Sequence, residues 1–98
     1  GRMRRRNTEE LDAVLGRFLR QEGLETPLNE YRLIQAWPEM VGNTIARYTA
    51  SIRIYNQVLY VQLSSPALRE NLIMERKLLV KRLNACVGAQ VITDIVFR

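Results

Sequence analysis

The stretch from Ser51 to Ser64, Ser-Ile-Arg-Ile-Tyr-Asn-Gln-Val-Leu-Tyr-Val-Gln-Leu-Ser, leaves the chain few folding options. Apolar residues alternate on both sides of Asn56-Gln57, the period of two that a half-buried strand requires, so the stretch predicts a β-hairpin. With a loop of those two residues, Tyr55 pairs with Val58, Ile54 with Leu59, Arg53 with Tyr60 and Ile52 with Val61. That register gathers Ile52, Ile54, Leu59, Val61 and Leu63 on an oily face, and Arg53, Tyr55, Val58, Tyr60 and Gln62 on an amphipathic one. Asn56 tolerates a positive φ; Gln57 is not the glycine such a turn favours, which leaves a longer loop open. A hairpin alone is marginal in water, so its oily face needs cover from the helices on either side.

Those helices are announced by apolar spacing and by caps. Asn7 or Thr8 starts the first, with Glu9 and Glu10 well placed against its dipole. Leu11, Val14, Leu15, Phe18 and Leu19 form its stripe, and Gly23 stops it. Thr26-Pro27 signals a second start, with Leu28, Tyr31, Ile34 and Trp37 on one side. Pro38 predicts a kink or a division into helices over about 27–36 and 38–48. Gly42 inside the latter implies a close approach or a weakened helix. After the hairpin, Ser65-Pro66 opens one long helix, about 66–87, closed by Gly88. Its stripe is Leu68, Leu72, Leu79, Leu83 and Cys86, flanked by Ile73, Val80 and Val87, and its outer surface carries Arg69, Arg76, Lys77, Lys81 and Arg82. Residues 91–98 read as a third strand, with Val91, Thr93, Ile95 and Phe97 facing in and Ile92, Asp94, Val96 and Arg98 facing solvent. The order is α-α-(α)-β-β-α-β, an α+β fold with helices over one face of a small mixed three-stranded sheet.

With 98 residues the chain has material for one core, expected to span 7–98 behind a flexible basic arm at 1–6. No run approaches the length of a membrane span, and a single cysteine, Cys86, fits a reducing cytoplasm; no membrane association is expected. The inventory argues against catalysis. There is no histidine, the glycines stand singly, the carboxylates are scattered, and Cys86 has no imidazole to activate it and sits on a stripe expected to be buried. No enzyme activity, cofactor, metal or small-molecule substrate is expected.

Charge points elsewhere. The net charge of +5 is unevenly spread: +4 in residues 1–6, −3 in 7–50 and +4 in 51–98. Basic clusters of this kind suit an anionic partner, nucleic acid above all, although a basic solvated surface has the same composition. Candidate phosphate contacts are Arg4, Arg5 and Arg6 in the arm and Arg76, Lys77, Lys81 and Arg82 on the last helix. Arg53, Tyr55 and Tyr60 could add stacking from the outer sheet face, where tyrosine is also simply a common strand residue. Trp37 reads as a core anchor. A protein-interaction adaptor using the same sheet face or hairpin edge is the alternative from a different class.

Several stretches in order resemble the DciA-like family. Trp37-Pro-Glu-Met-Val-Gly-Asn-Thr-Ile-Ala-Arg-Tyr-Thr49 is similar to its W…VG..IA..T signature, and the likeness runs on through Val58–Ser65, Leu68–Leu72, Leu83-Asn84, Gly88 and Val91–Arg98. The resemblance implies a bacterial KH-like domain with affinity for DNA and a link to the replicative helicase. Trp37, Gly42, Leu68 and Gly88 are the structural anchors it suggests, with leucine at 68 where the family often has tryptophan. The Gly-X-X-Gly loop of KH domains is absent, and one uninterrupted helix is expected in its place.

Overall fold

In the computed structural model, which describes residues 13–98, the hairpin takes the shorter of the two loops. Strands β1 (Thr49–Tyr55) and β2 (Val58–Leu63) pair antiparallel with Tyr55 opposite Val58 and Ile52 opposite Val61. Asn56 and Gln57 both have positive φ, 50° and 64°, so the turn is of the primed type whose twist matches the strands. β1 begins two residues before the expected stretch, with an irregularity between Thr49 and Ser51 that marks a bulge at Ala50. The predicted oily face is the inner one: Leu59, Val61 and Leu63 are buried, and Ile52 and Ile54 pack against them.

Helical residues 13–21 form α1, followed by α2 (Glu25–Val41), α3 (Asn43–Arg47), α4 (Pro66–Met74) and α5 (Arg76–Val87), with strand β3 (Asp94–Phe97) near the end. β3 lies parallel to β2, giving a mixed sheet in the order β1-β2-β3. α4 and α5 make the crossover between the two parallel strands. Leu33 and Trp37 of α2, Leu72 of α4, and Leu79 and Leu83 of α5 close the core over Leu59, Val61, Ile95 and Phe97. This is the α+β arrangement that the sequence predicts, and it is consistent with the KH-like fold that the family resemblance implies. Ser65 caps α4 as expected, its Oγ accepting from the Leu68 N–H at 3.3 Å, and Leu68 is half-buried against the core. Gly88 ends α5 in the left-handed region, φ 79°.

Several expectations need correction. α2 runs through Pro38 and ends at Val41, so the helices are divided at Gly42 and not at the proline. Pro38 removes one hydrogen bond on an exposed stretch of helix, where water is at hand, and the helix ends three residues later. Gly42 has φ 90° and ψ 168°, a conformation open to glycine almost alone, and a Cβ there would meet nothing within 4 Å. Its role is therefore to turn the chain between two helices, not to admit a close neighbour. Thr26 lies inside the first turn of α2, whose cap position is Leu24, with no side-chain cap bond. The long final helix is broken at Glu75, whose N–H turns back to the Leu72 carbonyl at 3.1 Å. Glu75 and Arg76 fall where the stripe between Leu72 and Leu79 would need apolar contact, so nothing buried holds the two halves in line.

Three burial expectations also fail. Cys86 is exposed, outside the buried line of Leu79 and Leu83. Val14, Leu15 and Phe18 of α1 stay about half exposed, so the described part of α1 buries little of its stripe; Leu11 and the Asn7 or Thr8 cap lie outside the described residues. Ile92, expected to face solvent, is fully buried, and Thr93, expected to face in, is exposed, because residues 91–93 are not extended strand. The Asn84 side chain holds them instead: Oδ1 accepts from the Val91 and Ile92 N–H groups at 3.0 and 3.1 Å, and Nδ2 donates to the Ile92 carbonyl at 2.9 Å.

Candidate nucleic-acid interface

The sheet has one face under the helices and one that no other described element covers, and strand pairing determines what stands on the open one. Across the three strands, Tyr55, Val58 and Asp94 form one row, and Arg53, Tyr60 and Val96 the next. Arg98, two residues beyond Val96 on the same face, comes up beside Tyr60 from the third strand. Both guanidiniums lie over the Tyr60 ring, Arg53 at 5.6 Å and Arg98 at 5.2 Å from its centroid. These distances are within cation–π range, so the ring organises two positive charges that would otherwise repel and wander.

The polar surroundings continue the pattern. Ser51 Oγ donates to Gln62 Oε1 at 3.2 Å across the hairpin, and both residues line a groove of about 220 Å³ with Arg53, Tyr60 and Arg98. A neighbouring groove of about 300 Å³ is bounded by Arg53, Tyr55, Tyr60 and Arg98. Tyr60 is half-buried and engaged by arginines, whereas Tyr55 is 67 % exposed and has an open ring. Their chemical capacities therefore differ: the Tyr60 cluster offers guanidinium donors to an oxyanion, and Tyr55 offers a face to a base.

The other sequence candidates lie apart from this cluster. Arg76, Lys77 and Lys81 line a groove of about 440 Å³ at the β3 edge with Val80, Thr93 and Asp94. Arg76 is engaged there, its Nε 3.3 Å from Asp94 Oδ1. Arg82 is exposed on α5 outside that groove. The two grooves share no residue. Arg4, Arg5 and Arg6 lie outside the described residues. Arg98 is the member that sequence reasoning missed as a site residue: alternation placed it on the outer face, but only the parallel β2–β3 pairing brings it to Tyr60.

The anchors act in the frame beneath. The Trp37 Nε1–H donates to Thr49 Oγ1 at 3.1 Å, and that hydroxyl donates to the Ile45 carbonyl at 2.9 Å, tying α2, α3 and β1 together. Trp37 also packs against Phe97, ring centroids 6.2 Å apart. Among the described residues, no group of three or more His, Cys, Asp or Glu could hold a metal ion, and no helix is long and apolar enough to cross a membrane.

Neither the curated proteins nor the solved structures compared with the chain include a significant match. A family model described as "Dna[CI] antecedent, DciA" matches residues 10–97, nearly the whole sequence. That family is linked to loading of the replicative helicase and is not a catalytic one. The matched span takes in the tryptophan–threonine clamp, the Gly42 junction and all three strands, and the chain belongs to the DciA family.

Proposed function

We propose that the chain is a non-enzymatic DNA-binding component of the bacterial cytoplasm that works alongside the replicative helicase, with the uncovered sheet face as its nucleic-acid surface. The observation that carries this reading is the pair of guanidiniums held over Tyr60. Two cations fixed about one ring, on an open face, meet phosphate oxygens with little ordering cost on binding. Tyr55, exposed on the adjoining row, supplies a stacking platform for an unpaired base. Arg4, Arg5 and Arg6 add positive charge to the chain, and Lys77, Lys81 and Arg82 contribute more from the helical layer. Sequence-independent capture of the backbone follows from such a set, since phosphate contacts fix position without reading bases.

Fluorescence anisotropy with labelled single- and double-stranded DNA and RNA, each at two salt concentrations, tests the reading. Affinity should fall steeply with salt. Arg53→Ala combined with Arg98→Ala should reduce the slope of log affinity against log salt by about 1.5, the loss of two phosphate contacts. Tyr60→Phe should bind as the parent does, because the ring remains; Tyr60→Leu should weaken binding while keeping most of the salt slope, because both arginines remain but lose the ring that positions them. A salt slope unchanged by the double substitution would refute the sheet face as the phosphate surface.

A further inference from the structure

The break between α4 and α5 exposes an apolar surface that the sheet face does not use. Met74 is 84 % exposed, Leu78 48 % and Ile73 44 %, all within a turn of Glu75. None is needed to fill the core, which Leu72, Leu79 and Leu83 close from the other side of the same two helices. Cations frame the exposed atoms: Lys77 adjoins Leu78, and Lys81 and Arg82 follow it at i+3 and i+4 on the exposed side of α5. From residue 66 to residue 87 five cations stand against two carboxylates, Glu70 and Glu75. One cation, Arg76, is engaged by Asp94; Lys77 and Lys81 line the β3-edge groove next to it, and Arg82 is exposed outside that groove.

This mixture discriminates between partners. A phosphate backbone would pair with the cations but leave Met74 and Leu78 in water, gaining nothing from their area. A partner helix with apolar side chains along one stripe and carboxylates at its margins would satisfy both components at once. We infer that the α4–α5 elbow docks an acidic amphipathic segment of a partner protein, whose apolar side chains meet Met74 and Leu78 and whose carboxylates meet Lys77, Lys81 and Arg82. The elbow shares no residue with the groove around Tyr60, but Lys77, Lys81 and Arg82 also contribute to the proposed DNA-binding field, so the two readings are separated at Met74 and Leu78, which only the elbow uses.

The test uses the full chain and a labelled helical peptide of about 18 residues, with leucine at i, i+3, i+4 and i+7 and glutamate at the margins. A scrambled peptide of the same composition, phosphatidylglycerol vesicles and a DNA oligonucleotide run in parallel. The ordered peptide should bind about tenfold or more tightly than the scrambled one. Met74→Gln with Leu78→Gln should abolish that difference and leave DNA affinity unchanged; both side chains are exposed, so the core is untouched. Equal binding of the two peptides would reduce the surface to bulk charge and overturn the inference. Capture by vesicles without binding of the ordered peptide would assign the elbow to a lipid surface and overturn it as well. Loss of DNA affinity in the glutamine variant would overturn it in favour of a nucleic-acid face.

Discussion

Replacing Asn84 by alanine should destabilise the protein by about 2–4 kcal/mol. Three hydrogen bonds depend on its amide, two accepted from the Val91 and Ile92 N–H groups and one donated to the Ile92 carbonyl, all between 2.9 and 3.1 Å. Each contributes about 1 kcal/mol net, and the partners left behind lie next to Ile92, which is fully buried, so water does not easily replace them. Alanine's better helix propensity in α5 returns only about 0.5 kcal/mol. For a chain of this size the loss is a large share of total stability and corresponds to a fall in Tm of roughly 10–25 °C. Urea unfolding followed by circular dichroism measures it, with Gln90→Ala, an exposed neighbour in the same loop, as the control. The effect reaches the site, because Asn84 fixes the approach to β3 and β3 delivers Arg98 to Tyr60. DNA affinity in the alanine variant should therefore fall at temperatures well below its unfolding. A destabilisation under about 1 kcal/mol would refute the argument and mean that burial of Ile92 alone holds residues 91–93.

Gln57 sits at φ 64° in the hairpin turn, so Gln57→Gly should raise stability by about 0.5–1 kcal/mol in the same urea assay, and Gln57→Val should lower it. Cys86 is exposed, so Cys86→Ser should change stability by no more than about 0.5 kcal/mol, and the native thiol should react with Ellman's reagent without prior unfolding.

The hairpin was legible because two independent constraints coincide in it. Alternation decides which residues share a face, and a two-residue loop decides which partners they meet; either alone would allow a slipped register. The same alternation misled at residues 91–93, where the chain is not extended and a side chain from α5 supplies the backbone bonds. Nothing local distinguishes those residues from a strand, since the cause lies seven and eight positions upstream in Asn84. Pro38 misled for a related reason. Proline lacks the amide hydrogen a helix interior uses, but the interruption falls at Gly42, where the backbone needs a conformation that other residues resist. The break at Glu75 was foreshadowed by the polar pair interrupting the stripe, a feature that a count of leucines passes over.

The family signature and the proposed site occupy different layers of the molecule, and this bears on what each can teach. Trp37, Ile45 and Thr49 form one hydrogen-bonded clamp through a ring nitrogen, a hydroxyl and a carbonyl, and Gly42 turns the chain between the two helices that the clamp joins. Those residues specify how α2, α3 and β1 meet, and a frame of that kind does not determine what the molecule binds. The proposed binding chemistry depends on a different geometry: Arg53 opposite Tyr60 in the antiparallel pair, and Arg98 brought beside the same ring by the parallel one. The first contact follows from a hairpin register that the sequence discloses. The second needs the crossover through α4 and α5 to return β3 alongside β2, in a register that no local pattern encodes. Half of the guanidinium pair was therefore readable from Ser51–Ser64 alone, and the other half had to wait for the fold.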